Sequence, residues 1–161
     1  MSDFGQYPAA RTVRFDRLLP GPIERVWDHL TRPELLAGWL AGGVLEGRPG
    51  GQVALTFGNE HGLSGEVVTW EPPRRLAYIW READAESLVN FDLTPEAAGQ
   101  VRLVLTHMRL PAGEAASFGA GWHSHLDILA RVLAEGEPID FEAHMAVYHR
   151  LRPDYDVRAA D

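Results

Sequence analysis

The period of the hydrophobic pattern changes once along this chain, and that change limits the folds open to it. Between Gly50 and His107 the residues form five short strand-like runs, roughly 52 to 58, 62 to 70, 75 to 81, 86 to 93 and 100 to 107. The last alternates most cleanly, with Val101, Leu103, Leu105 and His107 on one face and Arg102, Val104 and Thr106 on the other. A period of two marks a half-buried strand. Turn chemistry separates the runs: Asn59-Glu60-His61-Gly62, Pro72-Pro73, the polar Glu82 to Glu86, and Thr94-Pro95 through Gly99. These connections are too short for parallel crossovers, so the strands are expected to pair as an antiparallel meander. From Glu114 to Glu135 the period becomes three to four, with Phe118, Trp122, Leu126, Leu129 and Leu133 on one stripe. At 1.5 Å per residue this helix is about 33 Å long, and Gly136 and Pro138 stop it.

Upstream, Arg11 to Leu19 alternates around Val13 and Phe15 and reads as a first strand, ended by Pro20-Gly21-Pro22. Ile23, Val26, Trp27 and Leu30 at i, i+3, i+4 and i+7 predict a short amphipathic helix. Thr31-Arg32-Pro33-Glu34 has the form of a capping box and predicts a second one carrying Leu35, Leu36, Trp39 and Leu40. Beyond Gly136 a polar tail follows, in which Phe141, Met145 and Tyr148 suggest one or two further helical turns. The expected organisation is an N-terminal arm (1–9), one α+β domain (10–135) and a partly helical extension (136–161), with no repeat or linker.

Composition excludes several kinds of chemistry. With 45% hydrophobic and 24% charged residues the chain is ordinary for a globular domain. It has no cysteine, so disulfides, thiol nucleophiles and thiolate metal sites are out of reach. The net charge is −8 and all 15 basic residues are scattered arginines, which argues against a nucleic-acid partner and rules out Schiff-base chemistry on lysine. No uncharged apolar run approaches the roughly 18 residues of a membrane span. The first residues, MSDFGQYPAA, lack the regions of a signal peptide. A cytoplasmic protein without membrane insertion is the expectation.

The order strand, two short helices, five-strand meander and long C-terminal helix resembles the helix-grip fold of the START and polyketide-cyclase (SRPBCC) superfamily. The stretches PGPIERVWDHLTRPELLAGWL, GEVVTWEPPRRLAYIW, LVLTH and GWHSHLDILARVL look like the heat-shock-protein-90 ATPase activator homologue branch, over about residues 10 to 135. The resemblance implies a curved antiparallel sheet wrapped around the long helix. It implies no single activity, because the superfamily includes lipid carriers, receptors, cyclases and co-chaperones on one scaffold. Eukaryotic co-chaperones of the branch carry a further N-terminal domain for which these residues leave no room, so chaperone contact is the lesser expectation.

Curling a sheet around a helix creates a concave interior, and a pocket is expected there. Val89, Phe91 and Leu93 share the inward face with Val101, Leu103, Leu105 and His107, while Tyr78 and Trp80 share a face of the preceding strand. Trp39 is expected at one end of the groove and Trp122 on the gripped helix face. Trp39, Tyr78, Trp80, Phe91, Leu103, Leu105, His107, Trp122 and His125 are the candidate ligand contacts, for a small apolar or aromatic molecule bound by a monomer or homodimer. The same residues would equally serve as core. His107, on an apolar face, is expected neutral, with water, a backbone carbonyl or Tyr78 as its partner. It is either a ligand anchor or a satisfied strand-end histidine.

His123 and His125 point about 200° apart on a helix and cannot share an ion. His123, Asp127 and Arg131 suggest a solvated charge stripe, and His125 a pocket border. Glu66 and Asp92 are expected to face outward, and Gly42-Gly43 and Gly50-Gly51 to be turns. No metal-ligand spacing, phosphate loop or catalytic triad is present, and no cofactor is expected. The reading is a ligand-binding domain. The alternatives are a cyclase- or hydrolase-type enzyme using His107 and Tyr78 as acid and base, and a protein-interaction module.

Overall fold

The computed structural model describes residues 3–58, 61–136 and 141–159. Seven strands form one antiparallel sheet: β1 (Val13–Pro20), β2 (Gly42–Leu45), β3 (Gln52–Thr56), β4 (Gly62–Glu71), β5 (Arg75–Glu82), β6 (Ala85–Pro95) and β7 (Gln100–Met108). Their spatial order is β1-β7-β6-β5-β4-β3-β2. The five meander strands occur as expected, although residues 59 and 60 of the first turn lie outside the described residues. β2 replaces the expected Gly42-Gly43 turn, pairing those glycines with Thr56 and Leu55 of β3. Two glycines in a four-residue strand present no alternation to read.

The helices are α1 (Ile23–Thr31) and α2 (Pro33–Leu36) after β1, then α3 (Ala115–Glu135) and α4 (Phe141–Ala159). The capping box does not form. Thr31 is the last residue of α1, so its hydroxyl lies over the preceding turn and donates to the Trp27 carbonyl at 2.8 Å. Arg32 caps α2 without a side-chain bond, and Glu34 pairs with Arg32 at 2.7 Å. α2 lasts one turn, leaving Trp39 and Leu40 in the turns after it. Gly136 takes a left-handed conformation and closes α3 by donating to the Val132 carbonyl. Pro138 lies outside the described residues.

The inward face of the sheet is continuous across strand pairs: Val13 lies opposite His107, His107 opposite Val89, and Val89 opposite Tyr78. α3 lies against this face, with Trp122, Leu126, Leu129 and Leu133 buried. Glu66 and Asp92 face outward and bond Arg81 and Arg75.

At His107 the apolar face carries a buried chain of hydrogen bonds. Trp122 Nε1–H donates to His107 Nδ1 at 2.9 Å. The ring proton is thereby placed on Nε2, which donates to Ser87 Oγ at 2.7 Å, and Ser87 donates to the Trp80 carbonyl at 3.3 Å. The partners are thus Ser87 and Trp122, instead of water, a backbone carbonyl or Tyr78. Burial lowers the His107 pKa to about 3, so the ring is neutral.

α4 runs 19 residues where one or two turns were expected. It packs on α3 through Tyr155, whose hydroxyl accepts from the Gly5 N–H and meets His123 Nδ1, each at 2.8 Å. Gly119 of α3 makes this possible, since a Cβ there would stand 2.6 Å from the Tyr155 ring. The expected charge stripe is solvated only in part: Asp127 and Arg131 are exposed and pair with Arg17 at 2.9 Å and with Glu135, whereas His123, 3.6 Å from Asp127, is buried.

Trp122→Phe removes Nε1–H together with the pyrrole part of the indole, so a cavity term adds to the lost hydrogen bond. The lost bond alone should cost about 1–3 kcal/mol in urea denaturation, because His107 Nδ1 is then buried without a donor. A loss below about 0.5 kcal/mol would show that the bond does not hold α3 to the sheet.

Candidate functional site

The N-terminal halves of α3 and α4 and the ends of β3 and β5 enclose a cleft of about 350 Å³. Its walls are aromatic: Phe57, Trp80, Phe118, Trp122, Phe141 and Tyr148. Trp80 meets both Phe118 and Trp122 edge-on, with centroids 6.1 and 5.5 Å apart, so packing fixes these walls. The bond from Trp122 to His107 sets the orientation of the second indole. At the rim, Glu82 accepts a hydrogen bond from Trp80 Nε1 and contacts His61 Nε2. Ser117 and Tyr148 bond one another at 2.9 Å, and Arg152 donates to the Tyr148 oxygen at 3.0 Å.

A second cavity, of about 220 Å³, lies between α2, β2 and the α3–α4 pair. His125, Phe141 and His144 line both spaces. The His125 and His144 rings stack at 3.7 Å between centroids. His125 donates from Nδ1 to the Trp39 carbonyl at 2.9 Å, which ties α3 to the turn after α2. Burial, with the neighbouring His144 adding to it, lowers the His125 pKa to about 3, and burial lowers that of His144 to about 4.

The structure divides the candidate contacts into three groups. Trp80, Trp122 and His125 line the cleft. Trp39 lines the second cavity with His125. Tyr78, Phe91, Leu103, Leu105 and His107 line neither cavity and are packed in the core. His107 has both ring nitrogens engaged, and burial raises the Tyr78 pKa. Sequence reasoning missed the wall supplied by α4 (Phe141, His144 and Tyr148). Their helical spacing was visible, but nothing in a polar tail reports that it returns to α3. Among the described residues no cluster of three or more potential metal ligands occurs, and no helix is long and apolar enough to cross a membrane.

A curved antiparallel sheet gripping a long helix, with an aromatic cleft at one end, defines a helix-grip domain. The chain belongs to the family described as Activator of Hsp90 ATPase homolog 1-like protein, which matches residues 20–134. α4 lies beyond that match. The solution structure of the protein encoded by Bordetella parapertussis gene BPP1335 is 36% identical, with 98% of this chain and 93% of that one covered and a TM-score of 0.72. DynU16, from the dynemicin biosynthetic locus, is 28% identical over 81% of this chain, which spans about half (49%) of its length, with a TM-score of 0.74. CalU16 from Micromonospora echinospora shares the fold at 22% identity, with 93% and 88% coverage and a TM-score of 0.75. No functionally curated protein matches the sequence.

The buried histidines make stability depend on pH. In the unfolded chain a histidine titrates near pH 6.5, whereas His107 and His125 fall to about 3 and His144 to about 4 in the folded protein. Between those values the unfolded state binds the extra protons. Their stabilisation is therefore complete above about pH 6.5 and declines as pH falls through that window. Urea midpoints measured from about pH 7 to about pH 4.5 should fall steadily. A flat profile would mean that these rings are solvated.

Proposed function

We propose that this chain is a binding domain for a small apolar or aromatic molecule, held in the cleft between α3, α4 and the mouth of the sheet. The observation that carries this reading is the aromatic lining: six rings face a space of about 350 Å³, within the usual size range of ligand pockets. DynU16 comes from a biosynthetic locus, which supports a small-molecule role for a domain of this build. The interaction-module alternative has less to rest on. The exposed large apolar residues among those described, Leu18, Val44, Val68 and Val157, lie on four different elements and make no patch.

Gly121 supplies the test. It lines the cleft from α3, and a Cβ placed on it meets nothing within 4 Å. Gly121→Leu should fill the cleft while leaving the fold intact, with a helix-propensity gain of about 0.5–1 kcal/mol. Naphthalene-type probes should change the tryptophan fluorescence of the parent saturably, and the variant should bind them at least about tenfold more weakly. Unchanged binding in the variant would move the site elsewhere, and a parent without a saturable signal would end the proposal.

A further inference from the structure

His125 and His144 carry polar atoms of the cleft that the fold leaves unengaged. His125 gives its Nδ1 proton to the Trp39 carbonyl. Ser124 donates its hydroxyl to the His144 carbonyl at 3.3 Å, so its oxygen accepts from His144 Nδ1–H at 2.9 Å. With both ring protons on Nδ1, each Nε2 presents a bare lone pair. Neither Nε2 has a hydrogen-bond partner among the described residues, yet no fully buried side-chain nitrogen or oxygen among them lacks one. Both atoms therefore touch open space, although the two residues are only 7% and 5% exposed. Both residues border the cleft and the second cavity, and their rings stack. The two imidazole rings thus stand at the junction of the two spaces.

The surrounding charge narrows the ligand further. Among the described residues no arginine lines either cavity, and Arg152 at the rim is already held by Asp156 and Tyr148, whereas Glu82 and Glu114 line the cleft. A carboxylate entering here would lose hydration opposite two carboxylates without gaining a cation. The low pKa values of both rings also mean that neither offers an imidazolium donor near neutral pH.

We propose that His125 and His144 form an acceptor-only polar centre joining the two cavities, and that the ligand is an uncharged aromatic alcohol or amine that donates O–H or N–H to it. This rests on the reading of the cleft as a small-molecule site. It selects a chemical class: phenol-like donors over ethers of the same shape, and both over aromatic acids.

The test is calorimetric titration of the full chain at neutral pH with three probes of one ring system: naphthol, methoxynaphthalene and naphthoate. Naphthol should bind about three- to tenfold more tightly than the ether, and naphthoate most weakly. In the His125→Asn, His144→Asn double variant the amide can replace the Nδ1–H donor but offers nothing in place of Nε2. The naphthol advantage should then shrink to within about twofold while ether affinity persists. Equal binding of naphthol and ether by the parent, or a preference for naphthoate, overturns the donor selection and leaves the cleft as a binding site. No saturable binding of any probe overturns both readings. The comparison on the parent protein decides the matter even if the double variant does not fold.

Discussion

The hydrogen-bond chain through His107 is the constraint on which the rest of the structure depends. It links α3, β7, β6 and β5 through four residues, Trp122, His107, Ser87 and Trp80. Hydrophobic burial alone would hold α3 against the sheet but leave its rotation and axial position loosely specified, since a Leu stripe tolerates repacking. A directional bond inside an apolar core permits one arrangement, because any other leaves a buried donor or acceptor unpaired. That arrangement stands Trp122 beside Trp80 at the mouth of the sheet. One turn further along α3 it places His125 against the turn that follows α2.

The second constraint is the way α4 is held. Its buried side chains are His144 and Tyr155, with Phe141, Tyr148 and Leu151 partly buried. Hydrogen bonds to Ser124, His123 and the Gly5 N–H do much of the positioning. This also explains why α3 is buried on more than one side: one face meets the sheet, and the face bearing Gly119 and Ser124 meets α4. The N-terminal arm completes the arrangement, with Phe4 packed on His123 and Tyr155. A segment outside the family match thus builds one wall of the cleft. The character of that cleft depends on the extension together with the matched domain.

Much of the fold was legible because period two and period three-to-four patterns are written in adjacent residues. The inward face of β7 and the Trp122 stripe follow from local alternation. The parts that stayed hidden depend on distant partners. His107 was recognisable as a histidine on an apolar face, but Ser87 and Trp122 lie 20 and 15 residues away, and no local pattern announces that pairing. Thr31 satisfied the form of a capping box and bonded backward instead. His123 looked solvent-facing only while α4 was read as a turn or two. Of the site, Trp80, Trp122 and His125 were in view, whereas His144 was not, because a helix docked by histidine and tyrosine lacks the aliphatic stripe that marks a docking face. In each case the sequence displayed the residue type and the fold chose its partner.

The buried histidines divide the labour: His107 holds the fold together, while His125 and His144 border the cleft proposed to take the ligand. Long-range proton–nitrogen correlation spectra of the imidazole rings test this division most directly. His107 is expected to carry its proton on Nε2 and not to respond to added naphthol. His125 and His144 are expected to carry theirs on Nδ1, with their Nε2 resonances shifting as the probe binds. A His107 ring protonated on Nδ1 or responding to the probe, with His125 and His144 silent, would contradict it.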